Sequence, residues 1–170
     1  MIAMKIKCEL NGRICDLPDF LTDFFANSTI LYCSTISKHK RPHIQPTIFI
    51  NEPGKCSIVF LANRQSSMVK NLYQNPKTSL TIDKVHPLNP FLNKGIMIEA
   101  ITHINDSKEV INEILENFQR KYTLEVVSKI LGIDILQNCV KIRSLPQKIV
   151  YWEGPIFKRF KCKKHKSFIA

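Results

Sequence analysis

The sequence predicts a mainly β (α+β) fold: an antiparallel barrel, closed or partly closed, with helices on its outside. Three observations carry this. Seven short runs rich in β-formers are separated by polar or proline-containing turns. Helical periodicity surfaces only between them, before residue 26, around 66–75 and beyond 106. The resulting order is helix, three strands, helix, two strands, helices, two strands, which suits a barrel built from hairpins rather than alternating parallel units.

Each element has its own local reason. Asp16 is the expected cap of a helix whose acid-rich first turn holds an early proline, Leu17-Pro18-Asp19, and apolar Leu17, Phe20, Leu21, Phe24 and Phe25 follow at helical spacing. Ile30 to Ile36 is a β-former run that ends in the polar stretch 37–42. His43 to Ile50 is a second strand, where Pro46 predicts an edge or a bulge. After the turn cluster 51–55, Cys56 to Leu61 is a third strand, and the three read as a meander. Ser66 or Ser67 caps a helix that Pro76 stops. Lys77–Ile82 and Gly95–His103 are strands four and five, joined by a loop containing Pro87 and Pro90. Asp106 to Glu109 resembles a capping box, and Val110, Ile111, Ile114, Leu115 and Phe118 share one helical face. A short helix over 123–131, stopped by Gly132, and closing strands over 139–144 and 148–152 complete the chain.

At 170 residues the chain fits one domain, and 44% hydrophobic residues suffice for an ordinary core. No apolar run approaches the roughly 20 residues that span a bilayer, and the first residues lack the apolar centre of a signal peptide. A cytoplasmic protein with no membrane association is therefore expected. The six cysteines, at 8, 15, 33, 56, 139 and 162, include no CxxC pair. They are expected to be reduced structural thiols, with Cys33 and Cys56 acting as small buried hydrophobes, and no metal site is expected. The net charge is +11, of which residues 158–166 supply six lysines or arginines and no acid. The organisation expected is a domain over 1–157 and a basic tail over 158–170. Such a tail leaves nucleic acid open as a partner, but it reads more simply as a solvated terminus.

The chemistry-bearing segment is 60–72. An apolar strand empties into Ala62-Asn63-Arg64-Gln65, and a helix then starts on two serines. A helix N-terminus offers free N–H groups and the positive end of the dipole, and Arg64 and Lys70 add charge, so the pattern suits a phosphate. Ordinary capping beside solvated cations explains the same residues without a ligand. The five histidines are scattered. His43 lies where it can approach a ligand, but each histidine reads first as a strand-face or surface residue. Trp152 reads first as packing.

The stretch from Ile30 to about Ala100 resembles the FMN-binding split-barrel family that includes the pyridoxamine 5′-phosphate oxidases. The resemblance is carried by Leu31–Ile36, Arg41-Pro42-His43-Ile44-Gln45-Pro46-Thr47-Ile48-Phe49, Ile58–Ala62 with the serine loop, and Lys70-Asn71-Leu72-Tyr73-Gln74-Asn75-Pro76-Lys77-Thr78-Ser79-Leu80. It implies a homodimeric split barrel with ligand sites at the subunit interface. Gln45, Pro46 and Thr47 would line the flavin ring and ribityl chain. Ala62, Asn63, Arg64, Ser66 and Ser67 would hold the ribityl-phosphate, with Lys70 adding charge. The partner subunit would bring Lys94 and Gly95, or Trp152.

Two positions depart from the family pattern. Met68 stands where many relatives carry a lysine beside the phosphate, and Gln45 stands where the true oxidases carry an arginine. The expectation is therefore an FMN-binding oxidoreductase of unspecified substrate, with no catalytic residue assigned. The alternatives are the same fold binding a deazaflavin or haem, or a non-enzymatic flavin or nucleic-acid binder.

Overall fold

The computed structural model describes residues 7–10, 13–52, 55–123, 125, 126, 129 and 138–160. Its elements are β1 (Lys7–Leu10), β2 (Arg13–Asp16), α1 (Asp19–Asn27), β3 (Ile30–Ile36), β4 (Pro42–Ile48), β5 (Ile50–Asn51), β6 (Ile58–Asn63), α2 (Ser67–Gln74), β7 (Lys77–Lys84), β8 (Lys94–Asn105), α3 (Lys108–Lys121), β9 (Cys139–Glu153) and β10 (Ile156–Phe160). β1 and β2 form a separate hairpin. The remaining strands make one antiparallel sheet in the order β4-β3-β7-β8-β9-β6-β5, with β10 also paired to β9.

The two ends of that sheet are consecutive pieces of chain. β4 pairs with β3 at one end, β5 pairs with β6 at the other, and only Phe49 separates them. This continuity curls the sheet into a half-barrel, so the expected fold class is observed. Pro46 sits on an edge strand as expected, whereas the break in the strand falls at Phe49. The predicted meander holds between β3 and β4, but the third run pairs with β5 rather than with β4.

β6 explains its own composition. Ile58, Phe60 and Ala62 face the main core with Leu31, Cys33, Leu80, Ile82, Ile98 and Ile142, while Val59 and Leu61 face a second cluster with Ile111, Ile114 and Phe118 of α3. A strand buried on both faces must be apolar at every position, which erases the alternation expected of a one-sided strand. α1 and α2 bury Leu21, Phe25, Met68, Val69 and Leu72 in the main core, so α2 and α3 cover opposite faces of β6. At burial worth roughly 2 kcal/mol per large side chain, α3's Ile111, Ile114 and Phe118 anchor it firmly.

Phe49, at the closure, is fully buried, and its backbone groups are met by side chains. The Tyr122 hydroxyl donates to the Phe49 carbonyl (2.6 Å) and accepts from the Phe49 N–H (3.3 Å). Lys121 Nζ also donates to the Phe49 carbonyl (3.3 Å) and to that of Phe25 (3.4 Å), and it lies 4.2 Å from the Phe49 ring centroid. Burial pushes Lys121 down to about 8 and Tyr122 up to about 12.

Several expectations need correction. The helix cap is Pro18, without a side-chain bond, and not Asp16; Leu21 N–H and Thr22 N–H reach the Pro18 carbonyl instead. The closing strands 139–144 and 148–152 are one strand, β9, with an irregularity opposite Glu99 and Ala100. Ala100 faces Pro146 and Glu99 faces Lys148, so Gln147 is the extra residue that lets a proline sit inside a paired strand. β10 takes Lys158–Phe160 into the sheet, where a tail was expected; 161–170 lie outside the described residues. Most of the short helix placed over 123–131, and its stop at Gly132, also lie outside them.

The cysteine reading is overturned at two positions. Cys8 and Cys56 form a disulfide across a sequence separation of 48, tying the β1–β2 hairpin to the segment before β6. Spacing gave no sign of it, because β1 and β6 meet only through the fold. Cys33 is buried as expected, and burial pushes its thiol up to about 12.

Two outcomes follow. Tyr122→Phe leaves the Phe49 N–H and carbonyl without their hydroxyl partner and should lower stability by about 1–3 kcal/mol, read by urea denaturation. Lys121 binds its proton less tightly folded, at about 8, than unfolded, at 10.5. Its stabilising contribution is therefore absent below pH 8 and grows as pH rises toward 10. The stability difference between wild type and Lys121→Met should shift in favour of wild type over that interval, and a flat difference would contradict the burial of the ammonium.

Candidate functional site

The serine loop is built as its sequence suggests. Ser66 is the N-cap of α2, and its hydroxyl accepts from the Val69 N–H (3.2 Å). Asn63 Oδ1 accepts from the Gln65 N–H (2.8 Å), which holds the loop between β6 and the helix. Arg64 N–H donates to the Asn138 carbonyl (2.8 Å), and its guanidinium pairs with Asp106 at 2.9 Å. Ser67 and Lys70 are exposed on the first turn of α2, while Ala62 is buried at the end of β6. Met68 is fully buried in the main core, so positive charge at this helix end comes from Arg64 and Lys70.

α2 packs against β3 and β4. Asn71, one turn inside the helix, is buried and donates from Nδ2 to Thr35 Oγ1 of β3 (3.0 Å). That bond sets the height of the helix on the sheet. On β4, His43, Gln45 and Thr47 are half-buried, alternating with exposed Pro42, Ile44 and Pro46. Gln45 and Thr47 thus share a face with His43, and Pro46 points the other way. His43 Nδ1 is buried with no hydrogen-bond partner, an atom whose burial costs free energy until something pairs with it.

The second group forms elsewhere. Gly95 faces Trp152 across the β8–β9 ladder, and a side chain at Gly95 would collide with the indole. Only glycine fits there. Lys94 pairs with Glu153, whose carboxyl that contact holds below its ordinary range, and Phe157 of β10 lies 5.8 Å from the Trp152 ring.

The two groups do not meet within one chain. Asn63 pairs with Cys139 at the start of β9 and Gly95 with Trp152 near its end, a separation of about 40 Å along an extended strand. β4, which carries Gln45 and Thr47, thus packs against α2, and Lys94, Gly95 and Trp152 lie together on β8–β9, while Asn63 and Arg64 sit at the opposite end of β9 from Trp152. Sequence reasoning missed Asn71, whose role depends on which strand lies beneath the helix, and Asp106, whose pairing with Arg64 crosses the fold.

Comparison with known proteins extends this picture. No curated protein matches the chain. Its fold is similar to that of a conserved hypothetical protein of Mycobacterium tuberculosis (TM-score 0.64, 17% identity, 82% of this chain and 86% of that one). It is also similar to a Clostridium acetobutylicum protein related to general stress protein 26 (0.65, 17%, 84% and 92%). A third similar structure is a haem storage protein of Vibrio cholerae (0.60, 19%, 78% and 92%). The sequence model described as pyridoxamine 5′-phosphate oxidase matches residues 17–141. That span runs from α1 through the α2 loop into β9, so the chain belongs to the pyridoxamine 5′-phosphate oxidase family.

Proposed function

We propose that the protein is an FMN-binding flavoprotein, an oxidoreductase whose flavin sites form between two copies of the chain. The observation that carries the reading is the α2 N-terminus, where Arg64, Ser67 and Lys70 surround free helix N–H groups beside the half-buried polar face of β4. Helix dipole, hydroxyl and cations together suit a terminal phosphate. The residues fit the group in part: Ser67 and Lys70 are open to a phosphate, and Arg64 reaches it by exchanging Asp106 for it. Gln45, Thr47 and the unpartnered His43 Nδ1 supply polar atoms for a polyhydroxylated chain. Bound flavin would supply the redox chemistry, and the chain's own residues bind and orient it.

The dimer rests on two further observations. The outer face of β3 and β4 exposes Ile30, Tyr32, Ile36 and Ile44, the last at 64%, with Pro46 beside them. An apolar sheet face that no helix among the described residues covers suits self-association. The separation of Lys94, Gly95 and Trp152 from the α2 loop fits sites completed by a second chain. Among the described residues no helix is long and apolar enough to cross a membrane. We place the protein in the cytoplasm, where the Cys8–Cys56 bond would face reducing conditions, and keep residues 158–170 as a basic segment of the sequence that begins on β10.

Titration of FMN, followed by quenching of its fluorescence, should show saturable binding that Arg64→Ala or Ser67→Ala weakens roughly ten- to a hundredfold. A protein that ignores FMN and takes up haem with a Soret band would replace flavin with haem in this reading. In size-exclusion chromatography the chain should run as a dimer, and Ile44→Glu, a charge placed in the apolar face, should convert it to monomer with loss of FMN affinity.

A further inference from the structure

A small cavity lies on the far side of β6 from α2, and it owes nothing to the flavin reading. It measures about 190 Å3 and is lined by Ile50, Asn51, Glu52, Lys55, Glu113, Ile114, Asn117 and Lys141. Its walls are the end of β5, the following turn, β9 and one face of α3. Against the roughly 300–1,000 Å3 of a drug-sized site, this one takes only a few heavy atoms.

What distinguishes the cavity is its unmet donors. Asn51 Nδ2 is buried with no hydrogen-bond partner. The Lys141 side chain is only 15% exposed, yet its one contact is Glu52 Oε1 at 3.9 Å, beyond hydrogen-bond reach. Glu52 is held away from it by its other oxygen, since Oε2 accepts from Arg143 Nε (2.8 Å) and Ser57 Oγ (2.5 Å). Burial alone would raise the Glu52 pKa, but those bonds and the charges of Arg143 and Lys141 outweigh it and hold the carboxyl below its ordinary value. Glu52 is thus a fixed anion with its own partners. A buried amide donor left without an acceptor costs free energy, and the largely covered Lys141 side chain brings a cation held only by a distant ion pair with Glu52. Lys55 adds a third donor at the rim. On the facing wall Glu113 is an acceptor, and Ile50 and Ile114 give an apolar floor.

We propose that this cavity binds a small carboxylate that carries a hydroxyl or ammonium group beside its acid, such as a three-carbon hydroxy or amino acid. Its carboxylate meets Lys141 Nζ and Asn51 Nδ2, its neighbouring donor meets Glu113, and its short carbon chain lies on Ile50 and Ile114. Charge matching favours this class: a second anion without a donor would face Glu113 as well as the two lysines, and a bare cation would face the buried Lys141.

The test titrates the full chain with L-alanine, L-lactate and propionate, three probes of one carbon skeleton, by calorimetry. Alanine or lactate should bind saturably and about tenfold or more tighter than propionate, the margin of one hydrogen bond to a charged group. Asn51→Leu and Lys141→Met should abolish that binding. Both variants should keep the cooperative urea unfolding of wild type, which shows that they fold, and FMN titration of the two should match wild type, which separates this site from the α2 loop. Glu113→Gln should erase the advantage over propionate. Absence of saturable binding by all three probes, equal binding of propionate, or binding that survives both variants would overturn the proposal; the first result would assign the cavity to ordered water.

Discussion

The architecture depends on how one residue is held. Phe49 stands where the chain leaves one end of the sheet and joins the other, so its N–H and carbonyl fall in the gap between two ladders. A buried backbone without partners would oppose that crossing. The Tyr122 hydroxyl, serving as both donor and acceptor, removes the penalty, and its single proton lies between the Phe49 carbonyl and the Thr29 carbonyl (3.0 Å) just before β3. The end of α3 therefore pins the closure of the half-barrel. The second core cluster under α3, the cavity beside it and the position of β6 follow from that pin.

β6 in turn divides the molecule functionally. Its alternate residues feed two cores, and its end delivers the chain to the α2 loop. Charge is handled differently on the two sides. At the α2 loop the cations are exposed and the Arg64–Asp106 pair is half-open to solvent, a geometry worth little to stability and therefore easily given up to a ligand. Below α3, Glu52, Arg143 and Lys141 are held in a partly buried network, where an unpaired member is costly. Between β7, β8 and β9 the buried hydroxyls of Thr78, Thr102 and Ser144 satisfy one another in a chain of 2.9 Å contacts, so these three leave no residual demand.

Much of this was legible in the sequence wherever the signal was local. The β-former runs, the Ser66 cap and the apolar face of α3 each express a preference of neighbouring residues, and each appears within a few positions of where it was read. The failures share a cause as well. Asp16 has the right chemistry for a cap, yet Pro18 fixes the turn before Asp16 can reach it. Leu145-Pro146-Gln147 looks like a strand break, and only the presence of β8 alongside turns it into a bulge. The Cys8–Cys56 bond, the Asn71–Thr35 bond and the pairing of Arg64 with Asp106 join residues that one-dimensional periodicity cannot associate. For the candidate site, the loop and its charges were readable; the opposite orientations of Gln45 and Pro46 follow from strand alternation once the edges of β4 are fixed.

β9 has a further consequence, which concerns time rather than energy. One strand of 15 residues ladders with β8, β10 and β6, and its partners in β6 lie some eighty positions earlier, as with Ile58 and Ser144. The hairpins β3–β4 and β7–β8 close loops of a few to a dozen residues and can form early. The half-barrel cannot be completed until β9 has been made and has returned across the molecule to pair with β6. Until then β6, apolar on both faces, has an open edge. The stage most exposed to misassociation is thus the interval between synthesis of β6 and arrival of β9, and any condition that lengthens it should lower yield without altering the finished fold.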